Sequence, residues 1–375
     1  MIYLDYAADT PIDPEVKTVF NETQAMYYAN PFASHSLGRD AMNQIEHAVN
    51  EIMSHIGFNS ETHELIPLSS ATEANNLVLR GIVSAYGERG YHIVSTNFEH
   101  PSIANTLTVL TNNGCNVDYV RVSKNGVIDL ESLKQVLTSN TILLSLSAVD
   151  SEVGNVQHIK EIAQLMNQYP NCYFHTDATQ AIGKIQLDFD NVDFLTFSAH
   201  KIYGYKGSAF LIRRKNISLT PQITGGGAWI YRAGTPATPL IVSSAKAVQK
   251  AYANIEERFE YVKKLNMEFR KCLRVYNDVV FNSTESASPY ILNLSVKKIS
   301  GESFCNALDE AGICVSVKSA CSEKSGFSKV VYDMSGSRDI SKASWRISLS
   351  HLTTSEDVEK FMSAFDKCRS KLLKN

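Results

Sequence analysis

No stretch of this chain approaches the ~20 consecutive apolar residues that a membrane-spanning helix needs. Its opening, Met1-Ile2-Tyr3-Leu4-Asp5-Tyr6, has neither the basic region nor the long apolar region of a secretory leader, so none is expected. There is no C-x-x-C pair, and the seven cysteines are odd in number and scattered. That pattern argues against a disulfide framework and against a zinc site, and it suits a reducing cytoplasm. A net charge of -3 gives no excess of one sign to draw nucleic acid or a membrane surface. The basic run Lys367-Cys368-Arg369-Ser370-Lys371 reads as the solvated end of a last helix. Repeats, low-complexity tracts and Pro- or Ser-rich linkers are missing too, so no linker marks a domain boundary.

What is there is ordinary globular composition, 44% hydrophobic and 20% charged, over 375 residues. That length exceeds what one core usually serves, so two domains are expected. Apolar runs at 64–68, 92–96, 117–122, 141–149, 172–176, 194–197 and 209–213 read as strands. Helical periodicity at 43–56, 72–85, 102–111, 130–137 and 156–168 falls between them. The alternation predicts an α/β fold with a mostly parallel sheet flanked by helices. After about residue 240 the pattern changes. One long helix at 242–273, strands at 290–296 and 345–349, and helices at 301–311 and from 355 predict a smaller α+β domain. We expect a large domain at 13–245 and a small one made of 1–12 plus 246–375.

Parallel sheets bind ligands beyond the carboxyl ends of their strands, so residues just after strands matter most. Asp177 ends the run Tyr173-Phe174-His175-Thr176-Asp177. A carboxylate there could keep the ring nitrogen of pyridoxal phosphate (PLP) protonated, or simply cap a helix. Lys201 follows 194–197, and a desolvated lysine readily condenses with carbonyls. Ser69-Ser70-Ala71-Thr72 follows one strand and opens a helix, where backbone N–H groups and the helix dipole favour a phosphate. A plain capping sequence reads the same way. His100, soon after 92–96, could stack on a ring or move protons, or be structural.

Taken together and in order, these blocks resemble the cysteine desulfurases of the class V aminotransferase group. The likeness runs through Tyr3-Leu4-Asp5-Tyr6-Ala7-Ala8, Asn30-Pro31, Ala71-Thr72-Glu73-Ala74-Asn75-Asn76, Glu99-His100 and Asp177-Ala178-Thr179-Gln180. It continues through Ser198-Ala199-His200-Lys201, Arg232-Ala233-Gly234-Thr235, Ser319-Ala320-Cys321 and Trp345-Arg346-Ile347-Ser348. The resemblance implies a seven-stranded sheet of PLP-dependent fold-type I and a homodimer. It implies that Lys201 holds PLP, Asp177 pairs with the ring nitrogen, and Gln180 and Ser151 meet the ring hydroxyl. Ala71, Thr72, Ser198 and His200 would hold the phosphate, and Thr235 the phosphate of the other subunit. His100 would stack on the ring and assist proton transfer. Arg346, with Asn30, would bind the carboxylate of L-cysteine. Cys321 would take the sulfur as a persulfide, releasing alanine and passing sulfur to an acceptor protein. Lys318 and Lys324 beside it favour a thiolate. The span from Cys321 to Gly336 matches the long-loop subgroup.

Some positions depart from the family pattern. Ser70 and Ala199 stand where glycine is usual, and Asp150-Ser151-Glu152 replaces Asn-Asn-Glu. Ala228-Trp229-Ile230-Tyr231 replaces Gln-Glu-Arg-Gly. Two rival readings follow. One is a related PLP lyase of altered specificity, such as a selenocysteine lyase, or a class V aminotransferase. The other is a non-catalytic partner-binding scaffold, which intact Lys201, Asp177, His100 and Arg346 argue against.

Overall fold

The computed structural model describes residues 1–226, 230–317 and 326–374. Seven strands form one sheet. Their spatial order is His63–Leu68, Ala209–Arg214, Phe194–Ser198, Tyr173–Asp177, Thr141–Ser147, His92–Ser95 and Asn116–Tyr119. Ala209–Arg214 runs antiparallel to both its neighbours, and every other pair is parallel. The α/β expectation therefore holds. Thr141–Ser147 is buried along nearly its whole length, as a strand with helices on both faces must be. One face packs Ile52, Leu146, Phe174 and Phe197; the other packs Leu77, Leu107, Phe194 and Leu211.

A second apolar cluster gathers Phe269, Phe304, Trp345, Phe361 and Phe365. The Phe304 and Trp345 rings stack with centroids 5.0 Å apart. Around them lie the antiparallel strands Val279–Phe281, Ile291–Val296 and Ser344–Ser348 and the helices Ile255–Leu273, Gly301–Glu310 and Ser355–Leu372. The amino-terminal Ile2–Tyr3 pairs with Ile313–Cys314, and Leu4 joins this cluster. The chain then crosses to the large sheet. No helix among the described residues is long and apolar enough to cross a membrane.

Three of the expected helices differ in their extent. The long helix at 242–273 is two, Thr238–Ala253 and Ile255–Leu273, because Asn254 (φ -133°, ψ 33°) leaves helical geometry. The helix expected from 43 starts at Ser36. Its cap is His35, whose Nδ1 accepts from the Gly38 amide at 3.2 Å; histidine is not among the usual capping residues. A side chain at Gly38 would come within 2.4 Å of the Ala33 carbonyl oxygen. The helix expected at 156–168 begins at Ile159, because Gln157 is taken up bridging to Ile128 N and the Gly126 carbonyl.

Candidate active site

Several strand ends of the large sheet deliver groups to a single cavity of about 220 Å³. Asp177 is the last residue of its strand, and Lys201 ends the short turn Ala199–Lys201 after the neighbouring strand. The register sets Asp177 opposite Thr196, so the two segments turn out side by side. Ala71 opens helix Ala71–Tyr86, and His100 caps helix Pro101–Asn112. Arg346 comes from the small sheet, in Ser344–Ser348. The cavity is lined by Asp177, Lys201, His100, Arg346, Gln180 and Ser151. Ala71, Thr72, Ser198 and His200 line it as well. Ten of the expected site residues thus meet in one place. Thr235 lies in a different hollow, with Arg232 and Gly207. Asn30 is exposed, and its Oδ1 accepts from the Phe32 amide instead. Cys321, Lys318 and Lys324 lie outside the described residues, as do Ala228 and Trp229.

The Lys201 amine donates to the carbonyls of Ala7 (2.8 Å) and Ala8. Gln180 donates to the same Ala7 oxygen at 2.9 Å. The amino-terminal segment is thereby pinned across the cavity, helped by the bond from Ala7 N to Ser348 Oγ at 2.9 Å. Lys184, which the sequence reading missed, is buried and donates to Gln180 Oε1 at 2.8 Å. Burial, with Lys201 and Arg346 nearby, brings its amine down to about 7.

Asp177 accepts at both oxygens, from Asn75 Nδ2 (2.8 Å) and the Thr179 amide (2.9 Å). It therefore caps a local turn and faces the cavity at once. His100 is likewise both cap and cavity wall. Its Nδ1 takes the Ser102 amide at 3.1 Å, and burial holds its pKa below the usual value. Arg346 is buried. It gives Nη2 to Asp5 at 2.8 Å and Nη1 to the Ser151 carbonyl at 2.6 Å, while Nε has no partner among the described residues. Asp5 was not foreseen; only its position in the opening motif could have flagged it.

The donor set fits PLP. A carboxylate suits a protonated ring nitrogen, and a half-buried lysine suits a carbonyl carbon. At the remaining end the Ala71 amide donates to Ser198 Oγ at 3.1 Å and stands at a helix amino terminus. Thr179 Oγ1, also in the cavity wall, is buried with no partner among the described residues.

Two departures from the family pattern prove local. Ser70 caps the helix, accepting from the Glu73 amide at 3.1 Å. Ala199 sits in the core, and its Cβ fills the space where Gly204 has none. Six described cysteines are free. Burial pushes the Cys305 thiol up to about 12 and Cys172 higher still, so neither offers a thiolate at neutral pH.

Glu99 lies behind this wall, buried, accepting from Thr96 and Ser147 (2.7 Å). Desolvation raises its carboxyl to about 7. Its ionised form is thus disfavoured in the fold, and stability falls as pH rises from about 4.5 through 7. Replacing Glu99 by glutamine removes that cost. Relative to wild type, Glu99→Gln should gain on the order of 2 kcal/mol between pH 5 and pH 8. Denaturant melts at the two pH values check this, and an unchanged difference contradicts it.

Known proteins share this fold and much of this sequence. The family model for Aminotransferase class-V matches residues 2–361. A relative from Rickettsia prowazekii (strain Madrid E), named cysteine desulfurase IscS, is 36% identical over 367 residues, covering 96% of this chain and 88% of the relative. A solved NifS-like protein superposes with a TM-score of 0.92 at 29% identity, covering 99% of this chain and 100% of that one. A NifS-like protein from Rickettsia africae ESF-5 gives 0.88 at 32% identity, with 99% of each chain covered. The chain belongs to the aminotransferase class-V family and, within it, to the cysteine desulfurases.

Proposed function

We propose that the cavity binds PLP and that the chain uses it to convert L-cysteine to L-alanine, storing the sulfur as a persulfide on Cys321. The observation that carries this reading is the convergence of Asp177, Lys201, a helix amino terminus and Arg346 on one cavity. Asp177 would hold the ring nitrogen, Gln180 and Ser151 the ring hydroxyl, and Ala71, Thr72, Ser198 and His200 the phosphate. When bound, PLP supplies an electron sink for negative charge at the substrate's Cα.

The chain's own residues supply the rest. The Lys201 amine would hold the cofactor, and its Nζ would move the Cα proton. His100, beside it, exchanges a proton with the substrate. Arg346 and the N-terminal carbonyls orient the amino acid. Arg346 is already held by Asp5 and the Ser151 carbonyl, so the substrate carboxylate meets a guanidinium whose plane is fixed. Asn30, which does not line the cavity, would contribute to substrate binding. The sulfur leaves the substrate's β-carbon and joins Cys321, the three-carbon remainder leaves as alanine, and an acceptor protein takes the outer sulfur. Thr235, outside this cavity, suits a homodimer in which it reaches the partner's phosphate. The large part at 13–245 would bind the cofactor, with 1–12 and 246–375 closing over it, in a cytoplasmic protein.

Arg346→Lys keeps the charge but loses the planar fork. Its KM for cysteine should rise roughly tenfold or more, with a smaller change in kcat. An unchanged KM would remove Arg346 from the carboxylate site. Titration with PLP, followed by alanine measurement from cysteine, tests the whole reading. A panel including selenocysteine separates a desulfurase from a lyase of other preference.

A further inference from the structure

Behind the cavity wall, Asp177 and His100 are joined by a buried chain of hydrogen bonds that no step above uses. A carboxylate only accepts, so the Asn75 end 2.8 Å from Asp177 Oδ2 is the amide nitrogen. The same nitrogen donates its second proton to Ser102 Oγ at 2.9 Å. The Ser102 hydroxyl hydrogen is then free to point at His100 Nδ1, 2.8 Å away, which already accepts the Ser102 amide. With two donors on Nδ1, the ring proton sits on Nε2.

The other arm runs the same way. Asn75 Oδ1 must take a donor, and Thr196 Oγ1 supplies it at 2.6 Å. Thr196 can then only accept from His175 Nε2 at 3.2 Å, so His175 Nδ1 takes the hydroxyl of Ser145 at 2.9 Å. Asn75, Thr196 and His175 are fully buried, so water cannot substitute for any of these partners. Every donor from Ser145 to His100 is fixed once the acceptor character of Asp177 is fixed.

We propose that Asn75 and Ser102 are positioning residues that hold His100 as the Nε2–H tautomer, so that His100 first meets the substrate as a proton donor. This rests on the reading of the cavity as a PLP site. In the resting site His100 cannot take a proton at Nε2 without giving up both donors at Nδ1. The base that removes the Cα proton is therefore Lys201, and His100 delivers one.

Ring-nitrogen NMR of the PLP-loaded full chain, with isotope-labelled histidine, tests this. At neutral pH both His100 and His175 should show an unprotonated Nδ1 and a protonated Nε2. Ser102→Ala should move the His100 Nδ1 resonance and leave His175 in place, and Ser102→Thr should restore it. Asn75→Leu should move both histidines and weaken PLP binding by about tenfold, the loss of one charge-assisted hydrogen bond. If that variant does not fold, the two Ser102 variants decide alone. A wild-type His100 protonated on Nδ1, or Ser102→Ala with unchanged nitrogen shifts, overturns the proposal. A chain that takes up no PLP overturns the functional reading instead, and the tautomers can still be read from its spectrum.

Discussion

Lys201→Ala should lower alanine formation from cysteine by roughly 10³-fold or more, because one amine has two tasks. In the proposed reading it would hold the cofactor's carbonyl carbon and also move the Cα proton. Among the described residues no other lysine lines the cavity. Lys184 is buried behind Gln180 and does not line the cavity. His100 lines the cavity but is engaged at Nδ1 by Ser102. The fold should survive, since the Lys201 side chain is only half-buried and is not part of either apolar core. Far-ultraviolet dichroism should therefore match wild type while the product assay fails. Cofactor binding should persist through Asp177 and the helix Ala71–Tyr86, in a form that dialysis removes. Activity near wild type in Lys201→Ala would end its assignment.

Cys321→Ser should abolish protein-bound persulfide and cut sulfur release by at least roughly 10²-fold, about 2.7 kcal/mol of barrier. PLP binding should be untouched. Cys321 is outside the described residues, but the chain on both sides of it is anchored at the cavity. Ser316 pairs with Arg346, donating to its carbonyl at 3.2 Å and accepting from its amide at 2.6 Å. Ser328, on the far side, donates to Glu152 Oε2 at 2.6 Å, and Glu152 is next to Ser151 in the wall. The described residues flanking the segment that carries Cys321 thus lie against Arg346 on one side and Glu152 on the other. Labelling of persulfides after a cysteine pulse checks the expectation. A labelled Cys321→Ser protein would show that another sulfur carries the product.

Much of this site could be read from strand ends. Asp177, Lys201 and the Ala71 helix start each follow a buried apolar run, and a parallel sheet brings such ends to one edge. Arg346 was legible only through its motif, because it arrives from another sheet more than a hundred residues downstream. Asn75, Ser102 and Lys184 were not singled out. Their roles depend on which amide end faces which acceptor, and spacing along the chain carries no such information. Helix ends were lost where the signal was unusual. His35 as a cap hid the start at Ser36, and the continuous apolar periodicity across Asn254 hid a break. Helix Pro14–Met26 was missed although Asp13 caps it and proline opens it, since it buries only Val16 and Thr23.

The most direct test of the account is product analysis with purified protein, PLP, L-cysteine and a thiol reductant. Equal amounts of alanine and sulfide, dependent on added PLP and lost in Cys321→Ser, are the predicted result. Pyruvate with ammonia in place of alanine, or alanine and sulfide at full rate from Cys321→Ser, would contradict it.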